Sequence, residues 1–190
     1  MTFAADAVPT LETPRLVLRP PVLADFERWA EMLADEESAR FIGGVMPKPV
    51  AWRVVTQVRG AWALTGISMF SVIEKARDIW IGRVGPWQPY AWPGPEVGWG
   101  LHPDAAGKGY ALEAATAAID YAFDTLGWSE VIHCIDPRNV RSQALARRLG
   151  SSIQRKAFMP PPFDHDEIDV WGQTRDEWKT TSAIRRDTRY

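Results

Sequence analysis

Gly107-Lys108-Gly109 sits at the mouth of the strongest helical pattern in this 190-residue chain, inside "HPDAAGKGYALEAA" (102–115). Two glycines and a lysine are poor helix interior, yet a strong helix former follows at once. Glycines let backbone N–H groups converge, and the first N–H groups of a helix lack internal acceptors. A glycine-rich loop between a strand and a helix therefore suits an anion such as phosphate. The donors would run from Ala106 to Ala111, with Lys108 adding a flexible charge. A plain tight turn fits the same residues, and the stretch matches neither G-x-x-x-x-G-K-[ST] nor G-x-G-x-x-G. Just upstream, "EVGWGLHP" (96–103) carries Gly98 and Gly100. Glycine inside a strand marks a bend, a bulge or the close approach of another backbone or a ligand.

Other chemistry-bearing residues are less organised. His102, His133 and His165 lack metal-ligand spacing and read as structural or exposed, so no metal is expected. Cys134 lies in an apolar strand run and reads as a core thiol. As the only cysteine, it excludes an internal disulfide framework and a multi-cysteine metal site. Asp164, Asp166 and Glu167 match no calcium loop and read as a solvent-facing turn able to attract a cationic amine. Ten tryptophans are many for this length; they serve either core packing or an aromatic wall around a substrate or partner.

These residues need elements to position them. "RLVLRP" (15–20) reads as a strand ended by proline. "VLADFERWAEMLADEESARF" (22–41) has Phe26, Trp29, Ala30, Met32 and Leu33 at helical spacing, with Asp25 or a nearby residue as a start signal, and a second helix is expected over about 50–64. "ISMFSVIEK" (67–75) and "DIWIGRVGPW" (78–87) read as a hairpin linked by Ala76-Arg77. After a proline-rich loop comes the strand at 96–103, then a long helix within 107–127. Its small face is Ala111, Ala114, Ala115, Ala118 and Ala122, with Gly127 as its stop. "EVIHCID" (130–136) reads as a buried strand. "NVRSQALARRLG" (139–150) reads as a helix from an Asn N-cap to a terminal glycine. "SIQRKAF" and "EIDVWGQT" read as closing strands, and 180–190 as a polar tail. The order implies a mixed sheet with helices over its faces.

The length fits one domain over 1–190, with 1–10 and 180–190 as tails. A formal charge of −2 gives no general nucleic-acid footprint. No signal segment or long apolar run is evident, so a cytoplasmic protein without a membrane span is expected.

The stretch "EVGWGLHPDAAGKGYALEAATAAIDYAFDTLG" followed by "NVRSQALARRLG" closely resembles the Gcn5-related N-acetyltransferases (GNAT), especially their RimJ/RimL-like branch. The opening "LETPRLVLRP" matches the way that branch begins, and the resemblance spans roughly 11–175. It implies an α/β (α+β) fold with a mixed, mostly antiparallel sheet of about seven strands flanked by about four helices. Two parallel strands would splay at the cofactor site. It also implies an acetyl-CoA-dependent N-acetyltransferase acting on a primary amine, a protein N-terminus or a small molecule, by direct attack in a ternary complex. A non-catalytic acyl-CoA-binding module is the alternative, and a homodimer is compatible with the branch.

Carried over residue by residue, the resemblance puts the CoA pyrophosphate on Ala106, Gly107, Lys108, Gly109, Tyr110 and Ala111. Trp99, Gly100 and Leu101 would offer backbone to the pantetheine arm, with an N–H near Leu101 for the thioester carbonyl. Glu96 would be base or amine anchor, Ser142 would donate to the leaving sulfur, and Asn139 would contact cofactor while capping its helix. Arg138, Arg141, Arg147 and Arg148 could meet the 3′-phosphate or form a solvated helix face. Trp29, Trp52, Trp62, Trp87 and Trp92 would line an acceptor cleft. Three departures stand out: Asp104 where Gln or Arg is common, Ala106 where this branch often has Trp, and Ala146 where many relatives have the acid tyrosine.

Overall fold

The computed structural model of the chain describes residues 9–165 and 167–187. Eight strands and six α-helices are present among them. The strands are β1 (Leu11–Glu12), β2 (Leu16–Arg19), β3 (Phe70–Glu74), β4 (Ile79–Trp87), β5 (Glu96–Leu101), β6 (Glu130–Ile135), β7 (Ser152–Phe158) and β8 (Glu167–Thr174). The helices are α1 (Phe26–Ala34), α2 (Glu36–Ala39), α3 (Lys48–Thr65), α4 (Tyr110–Asp124), α5 (Val140–Leu149) and α6 (Arg175–Asp187). In hydrogen-bonded order the strands run β1-β2-β3-β4-β5-β6-β8-β7. The pairing is mostly antiparallel, and β5 with β6 is parallel. The expected mixed sheet is thus present with one strand and two helices more than the expected counts. The chain folds as two compact units, one holding residues up to Trp87 with Gly98–Ala118, the other Gln88–Val97 with the residues from Ile119 onward.

In the first unit β2, β3 and β4 form an antiparallel meander. The hairpin between β3 and β4 turns through Lys75–Asp78 rather than through Ala76-Arg77 alone, with Asp78 at φ 51° where glycine is usual. Its core joins Trp29, Met32 and Leu33 of α1 to Val55 and Val58 of α3 and to Met69, Ile73 and Trp80. Trp29 stacks on Trp80 at 5.3 Å, and Trp62 donates from Nε1 to the Met69 carbonyl at 3.0 Å. These two tryptophans are core, correcting their assignment to an acceptor cleft, whereas Trp52 is 45 % exposed. Asp25, read as a helix start, does stand at the N-cap position of α1, and it is also a buried junction. Its carboxylate accepts both terminal nitrogens of Arg19 at 2.8 Å, the Val22 N–H at 3.0 Å and the Ser71 hydroxyl at 2.7 Å. The single helix expected over 22–41 is broken at Asp35, whose extended backbone and side-chain bond to the Ser38 N–H at 2.8 Å start α2 afresh.

The second unit is built on antiparallel β6–β8 and β8–β7 ladders. Helix α6 occupies sequence read as the end of the chain, so residues 180–187 are helical; residues 188–190 and the start of the N-terminal tail lie outside the described residues, as does Asp166. Thr174 and Glu177 form a reciprocal capping box at the start of α6. The Glu177 carboxylate accepts the Thr174 N–H at 2.7 Å and the Thr174 hydroxyl accepts the Glu177 N–H at 3.3 Å. Trp178 then donates to Asp120 at 2.7 Å.

Candidate functional site

The glycine-rich loop lies in the first unit between β5 and α4. Ala106, Gly107, Lys108 and Gly109 are all exposed, and Gly107 and Gly109 have φ of +74° and +79°. That left-handed backbone favours glycine, which explains the residue type at both places. The first helix-type bond of α4 runs from the Glu113 N–H to the Gly109 carbonyl at 3.2 Å. The N–H groups from Gly107 to Leu112 therefore stand ahead of the intrahelical ladder, where an anion can accept from them. Tyr110 is buried and its hydroxyl donates to Glu74 on β3, so of this residue only the backbone is offered to a ligand.

The loop is held at both ends. At its entry Asp104 pairs with Arg28 of α1 at 2.7 Å, and Arg28 also donates to the Trp80 carbonyl at 2.7 Å. His102 lies 2.9 Å from Asp104. Although desolvation pushes its carboxyl up, the Arg28 bond and His102 hold Asp104 below the usual carboxylate range. The acid that departs from the family pattern is thus balanced by a guanidinium from another element. At its exit the Arg15 guanidinium donates to the Lys108 carbonyl at 2.9 Å and to Glu113 at 2.6 Å.

On β5, Trp99, Gly100 and Leu101 are half-buried. They run beside β4 at close range: a Cβ on Gly82 would fall 2.6 Å from the Gly100 carbonyl oxygen and 2.5 Å from the Leu101 side chain. The His102 N–H donates to the Ile81 carbonyl at 2.9 Å.

In the second unit the parallel pairing of β5 with β6 is short. It holds the register pair Glu96↔Ile132 and the bond from the Ile132 N–H to the Pro95 carbonyl at 2.9 Å. A regular parallel ladder would next join the Cys134 N–H to the Val97 carbonyl. Side chains separate these two groups instead. Glu96 Oε1 accepts the Cys134 N–H at 3.0 Å, and His133 Nδ1 meets the Val97 carbonyl at 2.7 Å. Glu96 Oε2 accepts the Trp92 indole N–H at 2.5 Å, so both oxygens of this buried carboxylate are engaged. His133 is 1 % exposed, and burial lowers its pKa to about 4 against the opposing bond to Val97. It is neutral near pH 7. A carbonyl accepts, so Nδ1 carries the proton and Nε2 accepts from the Ser151 hydroxyl at 3.1 Å; Ser151 accepts in turn from Gln173 at 2.9 Å. His133, expected to be structural or exposed, is structural, and its place between the two strands is one that no spacing reveals.

Asn139 caps α5, its Oδ1 accepting the Ser142 N–H at 3.1 Å. Ser142 is half-buried in the first turn, and Ala146 is fully buried. Of the arginines considered for a 3′-phosphate, Arg138 is paired with Asp136 through bonds of 2.9 and 2.6 Å, and Arg147 lies over the Trp171 ring at 5.0 Å. Cys134 is a poor nucleophile: burial, and then the Glu96 carboxylate, push its thiol far up. The structure thus brings the loop together with Trp99–Leu101 in one unit, and Glu96, Asn139 and Ser142 in the other. Glu167 of the acidic loop pairs with Lys156 at 2.5 Å. Among the described residues no helix is long and apolar enough to cross a membrane, and no group of three or more His, Cys, Asp or Glu could hold a metal ion.

The family and the fold of this chain have counterparts among known proteins. The family described as "Acetyltransferase (GNAT) domain" matches residues 15–152. The uncharacterized N-acetyltransferase YnaD of Bacillus subtilis (strain 168) is 28% identical over 149 residues, 78% of this chain and 84% of that protein. The uncharacterized N-acetyltransferase p20 of Bacillus licheniformis is 30% identical over 153 residues, 79% of this chain and 85% of that protein. Among solved structures, an acetyltransferase from Agrobacterium tumefaciens str. C58 superposes with a TM-score of 0.79 at 30% identity, covering 91% of this chain and 98% of that one.

Proposed function

This chain belongs to the GNAT acetyltransferase family, of the RimJ/RimL type, and from that premise we propose which reaction it performs and with which residues. It is an acetyl-CoA-dependent N-acetyltransferase, so the non-catalytic binding module gives way. The proposed acceptor is a primary amine, a protein N-terminus or a small molecule, and the proposed route is direct attack in a ternary complex.

The observation that carries the donor side is the loop, where two left-handed glycines flank Lys108 ahead of the α4 ladder. Its exposed backbone fits a pyrophosphate, and Arg28 balances Asp104 beside it. The residues proposed to hold the phosphates are Ala106 to Ala111, with the N–H groups supplied from Gly107 onward, because the Ala106 N–H expected among the donors is taken by the Pro103 carbonyl at 3.2 Å; Lys108 is accessory. Trp99, Gly100 and Leu101 are proposed to offer backbone to the pantetheine arm, and Asn139 to add a contact while it caps α5. When bound, acetyl-CoA supplies an activated acetyl thioester.

The remaining chemistry falls to two side chains. Glu96 is proposed to anchor the amine or to take its proton through water. Its oxygens retain acceptor capacity beyond the bonds from Trp92 and Cys134. The Ser142 hydroxyl is proposed to donate to the departing sulfur; a thiolate with a pKa of about 8.5 needs only modest help. Direct attack is supported by Cys134, the only cysteine, whose raised pKa makes it unfit to carry an acyl group.

Steady-state kinetics with both substrates varied tests the route. A panel of small amines and N-terminal peptides with acetyl-CoA is expected to yield thiol release and intersecting double-reciprocal lines. Parallel lines, or release with no acetylated amine, would overturn direct attack.

A further inference from the structure

The opening segment "LETPRLVLRP" is far from the loop in sequence, yet its Thr13 and Arg15 meet the loop and α4 directly. Arg15 bridges two acceptors: Nη1 donates to the Lys108 carbonyl at 2.9 Å and Nε to Glu113 Oε2 at 2.6 Å. The other Glu113 oxygen accepts the Arg15 backbone N–H at 2.9 Å and the Thr13 hydroxyl at 2.6 Å. The guanidinium also lies over the Tyr110 ring, 4.6 Å from its centroid. Burial pushes the Glu113 carboxyl up, but the bonds from Thr13 and Arg15 outweigh it and hold the group below its usual range.

We propose that Arg15 is a positioning residue for the phosphate loop, setting the plane of the Lys108–Gly109 peptide. This rests on the pyrophosphate reading of that loop given above. A trans peptide is planar, with its carbonyl and its N–H pointing in opposite directions. The cis bond among the described residues is Pro161–Pro162, so the Lys108–Gly109 bond is trans. With the Lys108 oxygen drawn toward Arg15, the Gly109 N–H is turned away from Arg15. Without that bond, two glycines flanking one exposed lysine would let the peptide rotate, and ligand binding would have to order it. The Arg15 charge is already matched by Glu113, so its contribution is geometric. Lys is a point charge on a flexible stem and cannot reproduce the bridge from two fixed nitrogens.

The test compares two acetyl donors, acetyl-CoA and S-acetylpantetheine, the second of which has no pyrophosphate. Arg15→Met is expected to raise KM for acetyl-CoA about tenfold with kcat within about twofold, and to leave KM for S-acetylpantetheine unchanged. Arg15→Lys is expected to recover little of the loss. Glu113→Gln, which loosens the Arg15 anchor while keeping its size, is expected to act in the same direction and serves if Arg15→Met fails to fold. Equal losses with both donors, full recovery by lysine, or an unchanged KM for acetyl-CoA in both variants would overturn the proposal. Failure of wild-type protein to bind CoA in a calorimetric titration would instead remove the pyrophosphate reading itself.

Discussion

Ser142 and Asn139 share one short turn, but different atoms would carry the roles proposed for them. Asn139 caps through its side-chain oxygen and receives the Ser142 backbone N–H at 3.1 Å, a bond that survives loss of the serine hydroxyl. Ser142→Ala is therefore expected to fold normally, bind CoA with unchanged affinity and lose about tenfold in kcat. Turnover assays beside calorimetric titration check both halves of that statement, and a large loss of CoA affinity would contradict it. Asn139→Ala removes the cap and is expected to lower stability by about 1 kcal/mol in urea unfolding. The N-cap role of Asn139 was legible from its place at the start of a periodic run. The partnership of Asp104 with Arg28 was not, because the two are far apart in sequence and only the fold puts α1 beside the loop.

At the scale of elements, the parallel edge of β5 against β6 ends where two side chains take the next pair of backbone groups. His133→Phe would leave the Val97 carbonyl buried without this donor, a loss of about 1–3 kcal/mol. Urea unfolding of the variant measures it, and unchanged stability would show that another donor replaces the ring. Periodicity located β5, β6, α4 and α5 closely, since their apolar spacing and terminal glycines are local signals. The break at Asp35 was missed because an Asp inside a continuous helical pattern can cap a new helix only if its own backbone turns extended, which spacing does not record. Helix α6 goes beyond what apolar spacing shows, because the residues after Thr174 are mostly polar, although Thr174-Arg175-Asp176-Glu177 is a local capping-box signal. The ladder's interruption could not have been read at all, because it depends on which side chain reaches which carbonyl.

For the molecule as a whole, acid should act first through His133. Its folded pKa of about 4 lies below the unfolded value of about 6.5, so the unfolded chain binds more protons between these limits. The neutral ring's contribution is complete above about pH 6.5 and is lost as pH falls toward 4, on the order of 3 kcal/mol. Glu113, also lowered, adds a loss below the ordinary carboxylate range as pH falls through its folded pKa. Urea unfolding from pH 7 to 4 is expected to show falling stability, and His133→Asn to flatten the slope above pH 4.5. An unchanged slope in the variant would assign it to other groups. The central claim, that the loop after β5 binds the phosphates of acetyl-CoA, is tested most directly by titrating CoA into the wild type and Gly107→Val. A Cβ at 107 meets no atom within 4 Å, so the substitution acts through the left-handed backbone angle and not through crowding. The predicted result is saturable binding by the wild type and affinity about tenfold weaker in the variant, with both proteins folded; equal affinity in the two would contradict the claim.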